Sequence, residues 1–228
     1  MAADYSQVEL RLIAEISQEK NMLDAFIKGH DIHSATAAGV YGVPLEEVTP
    51  DQRRNAKTVN FSIIYGAGST NLSRQLGIKR SEAKELIDSY FKQYAGLKKY
   101  MEETVDFARK EGYVKTLIGR KRHLRDINSR NSLARSNAER MAINTPIQGT
   151  AADLIKIAMI QIDQALTAGD YKSKMIMQVH DELVFDVYKP ELDTIKEFVE
   201  NKMKNALPEL KVPIVVEAGV GANWLEAH

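Results

Sequence analysis

The stretch MQVHDELVFDV, residues 177 to 187, sets three ionisable side chains, His180, Asp181 and Glu182, between two apolar, β-prone pieces. Met175 to Val179 and Leu183 to Val187 read as two short strands, and Asp is a common residue of the turn that joins a hairpin. Such a turn also holds a carboxylate rigidly beside solvent, where it can share a metal ion with a second carboxylate from elsewhere in the chain. The search for that second carboxylate leads outward to both ends of the sequence.

Around this hairpin the chain is rich in helix. Residues 7 to 27 carry Val8, Leu12, Ile16, Leu23 and Ile27 at helical spacing, and Ser81 to Lys110 carries Leu86, Ile87, Tyr90, Phe91, Tyr94, Met101 and Val105, with Gly112 as the stop. Ser132 to Thr145 and Thr150 to Ala168 read as two helices separated at Pro146 and Gly149. Pro190 starts another, which buries Ile195, Phe198, Val199 and Met203, and Val212 to Glu217 reads as the last strand. Strands at the two ends with helix between them predict an α+β layer interrupted by a helical subdomain.

Composition narrows the function classes. The 228 residues have no Cys, which excludes disulfides, thiolate metal sites and cysteine nucleophiles. No apolar run approaches the roughly 20 residues of a membrane span, and the N-terminus lacks signal-peptide character, so a cytoplasmic location is expected. The formal net charge of zero is unevenly spread: between Arg109 and Arg130 eight Lys or Arg face only Glu111 and Asp126, a net charge of +6. RKEGYVKTLIGRKRHLRDINSR, with its glycines, Tyr113 and polar residues, suits a polyanion partner.

The N-terminus supplies the candidate partner carboxylate. DYSQVELR places Asp4 just before a helical pattern, where an Asp most often acts as an N-cap. In RRNAKTVNFSIIYG, residues 53 to 66, Arg53, Lys57, Phe61 and Tyr65 recur every four residues, which on a helix makes one slanting face of two cations and two aromatics. That face suits a triphosphate at one end and a base at the other. By propensity alone Thr58 to Tyr65 also reads as a strand.

Taken together, DYSQVELR, RRNAKTVNFSIIYG and MQVHDELVFDV resemble, in order, the three polymerase motifs of family A DNA polymerases. DIHSATAAGVYG, GYVKTLIGRKRHLRDINSRN, AERMAINTPIQGTAADLIK and the ending GANWLEAH are similar to further family segments, so the resemblance covers essentially the whole chain. It implies an antiparallel palm sheet with helices, made of residues 1–11 and 132–228, and helical fingers at 12–131. It also implies primer-template DNA and deoxynucleoside triphosphates as partners, two Mg²⁺ ions as cofactors, and template-directed DNA synthesis. A single-subunit RNA polymerase and a nucleotide- or DNA-binding fragment without turnover are the alternatives.

The resemblance carries roles onto individual residues. Asp4 and Asp181 match the metal-binding carboxylates, with the Tyr5 backbone beside them and Glu182 in support. Arg53 and Lys57 match triphosphate-binding cations, Lys57 also a proton donor to pyrophosphate, while His33 is placed against the phosphates. His30 and His33 have the spacing of a ligand pair but too few companions for a metal site. Phe61 resembles the ring that packs on the incoming sugar and base, and Tyr65 the aromatic at the template position. Glu9, held against Tyr65, resembles a steric gate against a ribose hydroxyl, and Gln7 joins the nucleotide site. Arg140, Asn144, Gln148 and His180 match residues that contact primer or template.

Two departures stand out. Ser62 replaces a frequent family Gly, and only three residues precede Asp4, fewer than an ordinary strand of about 5 to 6. The expectation is a C-terminal portion whose thumb and remaining palm lie upstream in the same chain. Alone, it is expected to bind primer-template weakly and to self-associate through exposed sheet edges.

Overall fold

In the computed structural model, which describes residues 1–207 and 209–227, the first residues form strand β1 (Ala2–Tyr5) with Ala3 and Tyr5 buried and Asp4 exposed. β1 lies inside an antiparallel sheet, between β5 (Glu182–Asp186) and β6 (Val216–Gly219), with β4 (Lys174–Val179) outside β5. Its register pairs Asp4 with Glu182 on one side and Glu217 on the other, and Ala3 with Leu183 and Ala218. Residues directly opposite share a face. One face therefore carries Ala3 and Leu183 into the core, with Ala218 half-buried beside them; there α9 (Leu192–Lys204) buries Ile195, Val199 and Met203 and the Tyr5 hydroxyl donates to Met203 O at 2.9 Å. The other face carries the acidic row.

The sheet belongs to one compact unit, Met1–Leu12 with Thr150–His228; Ile13–Gly149 make a second. Two helices are shared in sequence between them: α1 (Val8–Ser17) and the 37-residue α8 (Ser132–Ala168).

The second unit is mostly helical: α2 (Lys20–Ile27), α3 (Ile32–Tyr41), α4 (Pro50–Ile64), α5 (Ser69–Leu76), α6 (Arg80–Gln93) and α7 (Ala95–Glu111). A reciprocal cap between Thr49 and Gln52, with Pro50 in the first turn, starts α4. Gly112, at φ 75°, ends α7. A hairpin of β2 (Tyr113–Lys115) and β3 (Lys121–His123) follows, packed through Val114 into a cluster with Ala108, Leu124, Ile127, Ala138 and Ala142.

Several boundaries differ from the sequence expectation. The pattern over residues 7 to 27 is broken at Gln18, which adopts φ 50°, because the buried Glu19 carboxylate leaves the helix to cap α2 at Asn21 N and to accept the Gly96 amide at 2.6 Å. Ser81 to Lys110 is likewise two helices, divided at the fully buried Tyr94, whose hydroxyl meets Thr36 Oγ1 at 2.9 Å. Conversely, α8 runs unbroken through Pro146 and Gly149. The flanking Ala142, Ile147, Thr150 and Leu154 are all buried, and their packing outweighs the roughly 3 kcal/mol that an interior proline costs.

Two strand expectations also change. The last strand begins at Val216 rather than Val212, since Pro213 has no N–H for a ladder and its carbonyl accepts from Arg11 Nη1 at 2.7 Å instead. The basic segment, read from the sequence for its charge, supplies β2 and β3. Asp4 is a strand residue, so the N-cap alternative is set aside, and Thr58 to Tyr65 is helical up to Ile64, with Tyr65 as its C-cap.

Candidate functional site

In the first unit, the β4–β5 turn and β1 bring the sequence-predicted carboxylates together. Tyr5 N donates to Asp181 O at 3.4 Å, and Asp4 pairs with Glu182 across the ladder, so Asp4 and Asp181 occupy the same end of two neighbouring strands. The turn is tight: His180 sits at φ 54°, and its carbonyl accepts from Gln178 Nε2 at 3.0 Å. Asp4 is exposed, Asp181 half-buried and Glu182 buried. Tyr5 spends its phenol on Met203 O, so any oxygen it lends to a cation is a backbone carbonyl.

Asp4, Glu182 and Glu217 form a row across three strands and line a recess of about 610 Å³ with Gln7 and Glu226. Like charges directly opposite one another destabilise a sheet, and a cation relieves that repulsion. Glu182 is also held by Trp224, whose indole N–H donates to its Oε1 at 2.8 Å. Gln7, at φ 55°, leads into α1 by accepting Arg11 N at 3.1 Å, and its Oε1 is buried without a partner. Glu9 lies half-buried in the first turn of α1. This donor set of hard carboxylate oxygens, with Asp4 exposed and Asp181 half-buried, fits Mg²⁺, which keeps several waters and needs only one or two protein carboxylates beside substrate phosphates. Among the described residues no group of three or more His, Asp or Glu is arranged to cage an ion, so the fit is of this sparse kind.

In the second unit, α4 presents the four-spaced face. Arg53, Lys57 and Tyr65 are exposed, Phe61 is half-buried, and Ala56, Val59, Asn60, Ile63 and Ile64 are buried. Phe61 and Tyr65 lie nearly parallel, 17° apart with centroids at 6.4 Å, and His33 meets Phe61 at 5.8 Å. The Arg53 guanidinium forks onto Asp31. Burial alone would raise the Asp31 carboxyl, but hydrogen bonds from Arg53 and Ser34 outweigh it and hold the group down to about 2.

His33 is buried on α3, and this desolvation holds its pKa down to about 4; Arg53 and Lys57 push the same way while Asp31 opposes them. Its Nδ1 lies 3.1 Å from Asn60 Nδ2, and Asn60 in turn donates to Thr36 Oγ1 at 3.0 Å. Thr36 gives its own proton to Ile32 O at 2.8 Å, so it accepts from Asn60 and Tyr94. His30 is exposed, apart from this network, and the His30 and His33 pair gathers no further ligands.

On α8, Arg140 packs against the end of α4: a Cβ at Gly66 would meet its Cγ at 2.7 Å. Arg140 also hydrogen-bonds Asn137 Oδ1, Asn144 keeps a buried Oδ1 without a partner, and Gln148 is exposed. Ser62 Oγ donates to Gln75 at 2.7 Å and so ties α4 to α5 beside a recess of about 460 Å³ lined by Lys57, Phe61, Tyr65 and Arg140. Asp31, Asn60, Thr36 and Trp224 were missed in the sequence. Only Asp31 leaves a signal there, as the residue before a helical run in DIHSATA.

The model for DNA polymerase family A matches residues 1–226. The chain belongs to DNA polymerase family A. It is 51% identical over all 228 residues to DNA polymerase I of Streptococcus pneumoniae serotype 4, covering 26% of that protein. It is 49% identical over 228 residues to DNA polymerase I of Pseudomonas aeruginosa, covering 25%. The chain thus spans about a quarter of the length of the curated relatives it matches. Among solved structures, it is similar to the POL domain of Pol1 from M. smegmatis in complex with DNA primer-template and dNTP, with a TM-score of 0.95 and 42% identity over 99% of this chain and 40% of that one. The family A chain is an α+β protein with small antiparallel sheets, as expected from its sequence. No helix among its described residues is long and apolar enough to cross a membrane.

Proposed function

We propose that this chain performs the nucleotidyl-transfer part of template-directed DNA synthesis, joining a deoxynucleoside triphosphate to a primer 3′-hydroxyl. The observation that carries the reading is the meeting of Asp4 with the Asp181–Glu182 turn across the β1–β5 ladder. The first unit takes the part of the palm and the second that of the fingers; the sequence puts the later border at 131/132, while the compact units divide at Gly149/Thr150. Primer-template DNA and dNTP are the partners, as named for the M. smegmatis relative, and a cytoplasmic setting suits them.

Asp4, Asp181 and the Tyr5 carbonyl would hold Mg²⁺, with Glu182 behind them. When bound, two such ions supply Lewis-acid activation of the primer hydroxyl and offset charge on the triphosphate. Arg53 and Lys57 bind the phosphates and balance negative charge developing on the departing pyrophosphate, to which Lys57 gives a proton. His33, neutral at physiological pH, donates a hydrogen bond rather than a charge. Phe61 and Tyr65 supply flat faces for the sugar, the incoming base and the template position. Glu9 and Gln7 border the sugar, and Arg140, Asn144, Gln148 and His180 hold primer and template.

The test is a chimera in which these 228 residues replace the matching quarter of the Streptococcus pneumoniae relative. Primer extension is expected from the chimera, and Asp181→Asn should lower single-turnover incorporation by about a thousandfold or more while primer-template binding persists. Near-parental incorporation by Asp181→Asn overturns the assignment.

A further inference from the structure

The basic segment has a use that the nucleotidyl-transfer reading leaves open. The β2–β3 register pairs Tyr113 with His123, Val114 with Arg122, and Lys115 with Lys121, so the hairpin has two faces of different character. The inner face is committed: Val114 is in the core cluster, and Arg122 donates to Thr145 Oγ1 at 3.1 Å and to Met141 Sδ at 3.2 Å. Beside it, Arg120 Nη2 donates to Gly149 O at 3.0 Å, and Arg109 pairs with Asp106 and Glu139.

The outward face is not committed in this way. Tyr113 meets Phe107 of α7 edge-on at 5.6 Å and 88°, and His123 at 5.9 Å and 62°. Lys115 and Lys121 place their ammonium groups 5.5 and 4.4 Å from the Tyr113 ring centre, and neither is ion-paired among the described residues. Phe107 keeps 42% of its surface exposed, and Lys115, Lys121 and His123 are exposed as well. Tyr113, the two rings tilted against it and two available cations, in and beside a segment of net charge +6, form a surface of fixed chemistry.

We propose that this outward face is a platform for single-stranded nucleic acid, on which bases stack against Phe107, Tyr113 and His123 while Lys115 and Lys121 take the phosphates. Charge complementarity selects a polyanion, and the rings select one whose bases are unpaired, because a duplex hides its π-faces inside the stack. An arriving phosphate draws the two ammonium groups off the Tyr113 ring and opens its face. The hairpin holds the platform steady: Thr116 N donates to Arg120 O at 3.0 Å, and Gly119, at φ 87°, closes the turn through Thr116 O at 2.9 Å. An acidic protein segment would satisfy the lysines and leave the rings unused.

The experiment uses the 228-residue chain and follows fluorescence anisotropy of three labelled probes: an oligothymidylate of about 12 nucleotides, an abasic oligomer with the same number of phosphates, and a duplex of the same length. The oligothymidylate is expected to bind about tenfold or more tighter than the abasic oligomer, the effect of one or more stacked bases. Lys115→Glu with Lys121→Glu should weaken both single-stranded probes about tenfold at low salt. Tyr113→Ala should weaken only the oligothymidylate, with Tyr113→Phe restoring it. If Tyr113→Ala fails to fold, Phe107→Ala, at a more exposed ring, takes its place. Equal affinity for the thymidylate and abasic probes, or parental binding by the charge-reversed variant, overturns the proposal. No incorporation of nucleotide is read, so the outcome stands apart from that of the polymerase chimera.

Discussion

Arg53 grips Asp31 through two hydrogen bonds, Nε to Oδ2 at 2.8 Å and Nη2 to Oδ1 at 3.0 Å, and the same Oδ2 caps α3 at Ser34 N, 2.8 Å away. One carboxylate therefore starts the helix that carries His33 and aims a cation on the helix that carries Lys57 and Phe61. The two duties can be separated. Asp31→Asn keeps a good N-cap but loses the charge on the fork, whereas Asp31→Ala loses both. Thermal unfolding should show Asp31→Ala destabilised by about 1 kcal/mol and Asp31→Asn by clearly less. Both should weaken dNTP binding. Equal destabilisation by the two variants would mean that the cap contributes little.

A pH dependence follows from His33. Its native pKa is near 4, below the roughly 6.5 of an unfolded chain. Between those values the unfolded state binds a proton that the native state refuses, so stability falls as pH drops through this window and is insensitive to this group above it. Asp31, held near 2, adds a further loss only below the ordinary carboxylate range. Urea unfolding at about pH 7 and about pH 5 should show a fall in the parent that is smaller in His33→Gln. An equal fall in both proteins removes His33 as its source.

Sugar choice is tested in the chimera. Glu9→Ala should raise ribonucleotide use relative to deoxynucleotide about tenfold or more, by removing the group proposed to crowd a 2′-hydroxyl. Phe61→Tyr should separately ease acceptance of dideoxynucleotides. An unchanged ribose-to-deoxyribose ratio in Glu9→Ala places the gate at another residue.

The Trp224 contact makes a prediction about stability. Trp224→Phe keeps a ring near Glu182 but removes one hydrogen-bond donor from a buried carboxylate, at a cost of about 1 to 3 kcal/mol. A chemical-unfolding midpoint equal to the parent's would show that the bond contributes no net stability.

What the sequence revealed depended on how local the cause was. The Asp181 turn was legible because its strands and its breaker are contiguous, and α4 was legible as a four-residue rhythm that Thr49 and Gln52 cap within one turn. Helix breaks at Glu19 and Tyr94 were hidden, since each is held by a residue distant in sequence, Gly96 for one and Thr36 for the other. The reverse error occurred at Pro146, where a strong local breaker was overruled by burial of its neighbours. In the sequence Asn60 is one polar residue in a largely apolar run, and only the folded chain shows it fixed between His33 and Thr36.

Trp224 is the only tryptophan in the chain, and its indole N–H rests on Glu182, next in sequence to Asp181. Excited at wavelengths that tyrosine does not absorb, the unlabelled protein thus emits from a single address at the edge of its acidic recess. A paramagnetic ion such as Mn²⁺ settling between Asp4 and Asp181 would dim that emission, and loss of the strand ladder would shift its colour, so native fluorescence becomes a built-in gauge of the carboxylate site.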